Sequence, residues 1–355
     1  MNEQMKLSVA SSPHASSPIG TRNLMLDVVI ALVPAMVAGV IVFGPRALTM
    51  TLVSVIACEF FEWGYRKLLK KPNSLGDLSA VITGILLAFV CPVTLPYWTL
   101  IIGDFFAIVI VKQLFGGLGT NFINPALGGR AFLMLCYPVP MTTWVLPGKE
   151  NWTGLFTAGQ ANTDFITGAT PLSSDLMKQG LLPDASLREM FLGNIGGCIG
   201  EVSALALLLG GIYLLWRGVI RIRIPAAYIL TVAVLTLVFA RNGNHFDVTW
   251  MLYEILGGGL FLGAFFMATD YVTSPNTPKG EIIFGIGCGL LVVFIRFFGG
   301  YPEGVCYSIL VMNLCVWLID KVSMPPRFGV TAEMKKQEKE KAKAAKAAEK
   351  EVAKA

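Results

Sequence analysis

Charge is what this sequence lacks most. Asp, Glu, Lys and Arg together make up 14% of its 355 residues, where soluble domains carry about a quarter. Most side chains must therefore face lipid or other apolar groups, which excludes an ordinary water-soluble enzyme. Histidine is nearly absent: His14 and His245 are the only two, too far apart in sequence for a metal motif. Cysteine occurs at Cys58, Cys91, Cys136, Cys198, Cys288, Cys306 and Cys315. No pair is spaced Cys-x-x-Cys and six of the seven lie in apolar runs, so no iron–sulfur or zinc site built by this chain alone is expected. They read as small buried apolar residues. A cleavable signal peptide is also lacking, because the first apolar run, near Leu24, has no small-residue cleavage site and more runs follow it. The net charge of +5 is no argument for nucleic acid, since 10 of the 28 Lys and Arg residues lie between Lys321 and Lys354.

Long apolar runs are plentiful. A helix needs roughly 20 apolar residues to cross the hydrocarbon core. That window gives ten candidates, near 24–43, 47–64, 76–92, 94–112, 128–147, 191–216, 224–240, 248–268, 282–298 and 302–320. The runs are continuous rather than alternating, which selects helices over a barrel. The expected fold is an all-α membrane protein of about ten transmembrane helices. It comprises an N-terminal segment 1–23, a transmembrane domain 24–320 and a Lys/Ala/Glu-rich tail 321–355. The tail reads as a solvated helix or a disordered extension. With both termini inside, 22 of the 28 basic residues fall in inside segments and five outside. The positive-inside rule then places both ends in the cytoplasm and residues 148–190, the longest polar connection, outside.

Divided in the middle, the ten candidate runs form two sets of five. Asp104-Phe105-Phe106-Ala107 is similar to Ala264-Phe265-Phe266-Met267, each in the fourth run of its half. An odd number of spans per half would make such a repeat inverted.

Within 148–190 lies Asp164-Phe-Ile-Thr167-Gly168-Ala169-Thr170-Pro171-Leu172-Ser173. Gly168 and Ala169 leave room for a bulky anionic group to approach the backbone, and Pro171 favours an extended Thr170. Local physics also accommodates an ordinary turn in which Ser173 or Ser174 caps a short helix. The run resembles a flavinylation motif, Asp-x-x-Ser/Thr-Gly-Ala-Thr-x-x-Ser/Thr, at Asp164, Thr167, Gly168, Ala169, Thr170 and Ser173. The resemblance implies that a flavin transferase, acting outside the cytoplasm, joins FMN by its phosphate to the Thr170 hydroxyl.

From Ser12 to Asp320 the chain resembles the RnfD/NqrB family of respiratory membrane subunits. Four further runs carry the likeness: Ser12-Pro13-His14, Lys112-Gln-Leu-Phe-Gly-Gly-Leu-Gly119 with Asn124-Pro-Ala-Leu-Gly-Gly-Arg-Ala-Phe132, Ala268-Thr-Asp270-Tyr-Val-Thr-Ser-Pro275, and Gly299-Gly-Tyr-Pro-Glu-Gly304. The compact N-terminus is closer to the RnfD side than to the NqrB-type subunit of Na⁺-pumping NADH:quinone reductase, the nearest alternative. The resemblance implies a translocase subunit of the inner membrane that relays electrons between ferredoxin and NAD while Na⁺ or H⁺ is moved. Implied partners are RnfA, RnfB, RnfC, RnfE and above all RnfG. A noncovalent riboflavin within the spans is also implied. Phe105, Phe106, Phe265 and Phe266 are candidates to line it, or ordinary packing residues.

Carboxylates in or beside the runs are Glu59, Glu62, Asp104, Glu201, Glu254 and Asp270. Charge in the membrane suggests an ion pathway or a buried partner, and Asp104 and Glu201 are the candidates for the pathway. Arg130 reads as a phosphate binder or as a tie for the cytoplasmic loop. A cofactor-free channel or secondary transporter would show the same spans and carboxylates but has no need of the run from Asp164 to Ser173.

Overall fold

A computed structural model describes residues 20–147, 185–239, 246–299 and 304–325. Among these residues helices form the whole architecture. In the first part of the chain, α1 (Thr21–Phe43) and α2 (Pro45–Leu68) make a hairpin at Gly44, whose φ of 81° favours glycine. Pro45 opens α2, where its missing N–H is no loss. They are followed by α3 (Ser79–Phe89), α4 (Tyr97–Phe105), α5 (Pro125–Cys136) and the single turn α6 (Pro138–Met141). The second part holds α7 (Leu187–Leu192), α8 (Ala204–Trp216), α9 (Arg223–Val238), α10 (Val248–Leu256), α11 (Leu260–Leu262), α12 (Pro278–Phe298) and α13 (Val305–Ser323).

Every apolar run in the sequence holds a helix, but the lengths differ from expectation. Four helices, α1, α2, α12 and α13, are each long and apolar enough to cross a membrane. The pair α10 and α11 passes that test together as one span bent by 62°. The chain is thus a multi-pass membrane protein, with four such full-length helices among the described residues, or five with the bent pair. The run 128–147 breaks after Cys136, because Pro138 and Pro140 cannot continue the hydrogen-bond ladder, and only the single turn α6 follows. The run 191–216 is helical from Ala204, after an irregular stretch containing Gly193, Gly196, Gly197 and Gly200. The run 248–268 breaks at Gly257-Gly258-Gly259, where Gly258 and Gly259 have positive φ.

Two helices continue in π geometry, with i→i+5 hydrogen bonds. One covers Phe106–Gln113 after α4, and the other Gly263–Met267 after α11. The first begins within Asp104–Ala107 and the second contains Ala264–Met267, so the likeness between those two sequences extends to an unusual winding that concentrates at functional sites.

Caps fix several of the starts. Asn124 Oδ1 accepts from Ala126 N and Leu127 N ahead of α5, and Thr277 accepts from Gly280 N ahead of α12. Both satisfy helix-terminal N–H groups that have no partner in lipid.

Small residues bring backbones together where apolar side chains gain nothing over lipid. A Cβ on Gly285 would lie 2.7 Å from Ala227 Cβ, and one on Gly289 would lie 2.6 Å from Thr231 Cβ. This Gly-x-x-x-Gly stripe seats α12 on α9. Gly289→Val should therefore force the two helices apart. The expected cost is about 1–3 kcal/mol of overpacking, read as a lower unfolding midpoint in detergent. An unchanged midpoint would show that the contact is not tight.

The two irregular stretches, 90–96 and 193–203, meet inside the bundle. Ile199 N donates to Cys91 O at 3.2 Å and Gly200 N donates to Phe89 O at 2.9 Å. Only glycine fits at position 200, since any Cβ would overlap the Phe89 ring.

Candidate functional site

Asp164, Thr167, Gly168, Ala169, Thr170 and Ser173 lie outside the described residues. The chain on either side of them is anchored. Thr94 Oγ1 donates to Thr143 O at 2.7 Å on the near side. Tyr253 OH donates to Ala185 O at 2.9 Å on the far side. Ser186 and Glu189 form a capping box that starts α7. The Ser186 backbone N–H, 2.8 Å from Glu189 Oε2, holds that exposed carboxyl below the usual range. Both anchors sit at one end of the bundle, where Arg46 Nη2 reaches Leu95 O at 3.2 Å.

The opposite end is basic. Arg66, Lys67, Lys112, Arg217, Arg221, Arg223 and Lys279 gather there. Arg217 pairs with Asp27 at 3.1 Å, and Arg221 and Arg223 both pair with Glu281 at 3.0 Å. Lys112 Nζ lies 2.7 Å from Glu62 Oε2 and 2.6 Å from Ser79 Oγ, and Ser74 donates to the other oxygen of Glu62. Glu62 is thus the inward carboxylate of α2, while Glu59 lies half-buried on its flank.

Glu201 and Asp104 have different surroundings. Glu201 Oε1 is 3.2 Å from Arg130 Nη1, and both side chains are buried. The two residues tie the irregular stretch 193–203 to α5. Arg130 therefore neither binds a phosphate at the basic end nor holds a loop there; it neutralises Glu201. Gly259 leaves the space that the Glu201 carboxylate fills, since a Cβ there would lie 2.5 Å from Oε1. Asp104 meets no cation among the described residues. Its Oδ1 contacts Ser54 Oγ at 2.6 Å and Cys58 Sγ at 3.3 Å. Its Oδ2 is buried with no hydrogen-bond partner among the described residues. It stands one residue before the end of α4, next to the π-helix.

Sequence reasoning missed the pairing of Glu254 with Arg296, at 2.9 Å. The signal was present: each is a lone charge inside an apolar run, and such charges are paired or functional. Arg296 also donates to Glu254 O at 2.6 Å and Gly257 O at 3.2 Å. It thereby covers carbonyls freed by the break before α11. Asp270 accepts from Thr273 Oγ1 at 3.1 Å within its own turn.

A cleft enclosing about 800 Å³ of space, part of it open to the surroundings, lies toward the basic end. Phe265 and Phe266 line it, with Thr83, Asn121, Asn124 and Thr269. Phe105 and Phe106 do not: Phe106 stacks on Phe132 at 4.3 Å and Phe105 packs edge-on to Phe61. Of the four aromatic candidates, the second pair therefore faces a cavity and the first pair packs. Among the described residues no group of three or more His, Cys, Asp or Glu is placed to hold a metal ion.

Comparison with known proteins finds similarity along nearly the whole chain. The profile of the NQR2, RnfD, RnfE family matches residues 8–329. The chain is 46% identical over 334 residues to the D subunit of the Na⁺-translocating ferredoxin:NAD⁺ oxidoreductase complex of Acetobacterium woodii, covering 93% of this chain and 98% of that one. It is 43% identical to the D subunit of the proton-translocating ferredoxin:NAD⁺ oxidoreductase complex of Clostridium ljungdahlii, covering 90% and 96%. A third relative, the D subunit of the ion-translocating oxidoreductase complex of Stutzerimonas stutzeri, is 40% identical over 87% of this chain and 92% of its own.

Proposed function

Because the chain belongs to the NQR2, RnfD, RnfE family, we propose that it is the D subunit of an ion-translocating ferredoxin:NAD⁺ oxidoreductase complex. In this reading it relays electrons through FMN joined by its phosphate to the Thr170 hydroxyl. The observation that carries the proposal is the near full-length similarity to subunits of that name, at 46% identity over 98% of the first relative. The run from Asp164 to Ser173 supplies the attachment site. Isolated, the chain has no complete activity; it works as one part of a translocase.

The reading orients the bundle. The basic end faces the cytoplasm, so the anchored ends of segment 148–184 open on the outer face of the inner membrane. There a flavin transferase has access, and RnfG is the neighbouring electron partner. RnfA, RnfB, RnfC and RnfE complete the complex. In this reading the ten membrane segments form two inverted sets of five, with the full-length helices first and last in the chain and the short or bent ones between them. The π stretches at the two similar sequences, beginning at Phe106 in the first and covering Gly263–Met267 in the second, support the repeat.

Bound FMN accepts and passes on electrons; the protein supplies its position and surroundings. A covalent link keeps the group on an open face where a free flavin would diffuse away. A second, noncovalent flavin (riboflavin) fits the cleft toward the basic end. Phe265 and Phe266 would cover its apolar ring, and Asn121, Thr83 and Thr269 would meet its polar edge.

The test is mass spectrometry of the peptide containing Thr170, from chain made together with its flavin transferase. The expected gain is one FMN less one water. A wholly unmodified peptide would refute the attachment and favour a cofactor-free transporter.

A further inference from the structure

Asp104 is fully buried, and the hydrogens around it are too few for a carboxylate. Ser54 Oγ lies 2.9 Å from Gly84 O and 2.6 Å from Asp104 Oδ1. A backbone carbonyl only accepts, and so does an ionised carboxylate, but the serine hydroxyl has one hydrogen to give. Directed at Gly84 O, it leaves two bare oxygens facing each other at 2.6 Å. A proton on Asp104 Oδ1 removes the conflict: Asp104 donates to Ser54 Oγ and Ser54 donates to Gly84 O. The thiol of Cys58, 3.3 Å away, is a weak donor and offers little to an anion. Oδ2 has no hydrogen-bond partner among the described residues. That is tolerable for a neutral carbonyl oxygen and costly for half of a buried charge.

Charged groups on the elements packed around Asp104 are engaged elsewhere. Glu62 of α2 holds Lys112 of the π-helix, and Arg130 of α5 holds Glu201. Arg46, at the start of α2, reaches the Leu95 carbonyl, and Glu59 sits on the outer flank of the same helix. Cys91, beyond α3, and Cys198 and Cys306, near Arg130, are further buried titratable groups of that region.

A line of polar side chains runs from the site toward the basic end. Ser54, Cys58 and Glu62 are buried on one face of α2 at i, i+4 and i+8. They lead from Asp104 to the basic end, where Glu62 contacts Lys112, Ser74 and Arg66. In the other direction, Thr99 of α4 presents a buried hydroxyl with no partner among the described residues.

We propose that Asp104 is a proton-binding site inside the membrane, a carboxylic acid hydrogen-bonded to Ser54 that exchanges its proton with the basic end along the Cys58 and Glu62 face of α2. The step is the binding of one proton by one carboxylate, with no electron moved. It goes beyond the electron relay through Thr170 and does not depend on it, since neither readout below needs a flavin.

The experiment treats the full-length chain in detergent with dicyclohexylcarbodiimide, an apolar reagent that modifies protonated carboxyls, and maps the label by mass spectrometry. Label is expected on Asp104, falling as pH rises and unchanged by added Na⁺ at fixed pH. The infrared spectrum should show the carbonyl stretch of a protonated carboxyl, shifted in D₂O and lost in Asp104→Asn. Glu201→Gln, at an ion-paired position, should leave both signals in place. If Asp104→Asn does not fold, the mapping on the unaltered chain still decides. Absence of both label and stretch would show a carboxylate and overturn the proposal. Protection by Na⁺ at fixed pH would overturn it in favour of a metal-cation site.

Discussion

Replacing Thr170 by Ala is expected to abolish the fluorescent flavin band that the denatured chain shows on a gel, while membrane insertion continues unchanged. The expectation is all-or-none because the chemistry is. A phosphoester needs an oxygen on the protein, and alanine has none. Thr167 and Ser173 lie three residues to either side, at the other hydroxyl positions of the motif, and are not expected to take over the attachment. Insertion is spared because the segment is polar and lies outside the apolar runs that drive it. The complex should still assemble but lose electron flow through this subunit, since the relay would be missing. Thr170→Ser, which keeps the hydroxyl, should retain part of the band. A band of normal intensity in Thr170→Ala would place the flavin elsewhere.

Glu254→Ala should be among the most destabilising single changes in the membrane domain. Glu254 and Arg296 have side chains 0% and 1% exposed and lie 2.9 Å apart. Removing one member of a buried pair leaves the other charge uncompensated, at a cost of about 3–5 kcal/mol. That is a large share of the roughly 5–15 kcal/mol that holds a typical domain together. Arg296 also serves the carbonyls of Glu254 and Gly257, so an Arg296 no longer held by its carboxylate endangers the bend before α11 as well. The measurement is the unfolding midpoint in detergent, followed by intrinsic fluorescence. Glu254→Gln, which keeps an acceptor, should lose less. A midpoint for Glu254→Ala equal to that of the unaltered chain would show that the pair contributes nothing.

The position of each helix was legible in the sequence because burial in lipid leaves a continuous apolar signature. What that signature hides is where a helix stops inside a run. Gly257-Gly258-Gly259 and the prolines at 138 and 140 are visible breakers, but hydropathy averages across them. The irregular stretch from Gly193 to Ser203 is as apolar as a span, and only its glycines mark it. Nothing in the sequence predicts π winding, since it follows from packing. For the candidate site, a lone carboxylate in an apolar run was a sufficient flag for Asp104, Glu201 and Glu254. Their partners were not legible, because Ser54, Arg130 and Arg296 are separated from them by 50, 71 and 42 positions. Only folding decides that Glu201 meets Arg130 while Asp104 meets Ser54 and Cys58. The proposal of Thr170 as an attachment residue rests on resemblance, not on its local physics.

The crossing of the two irregular stretches at Phe89–Cys91 and Ile199–Gly200 has a consequence for the peptide that joins the halves of the chain. Together with the Arg130–Glu201 pair, it stitches residues 20–147 to residues 185–325 deep in the bundle. The intervening link from 148 to 184 therefore need not act as a fastener. Its sequence is free to answer to other demands, which in the proposed reading are those of a modifying enzyme.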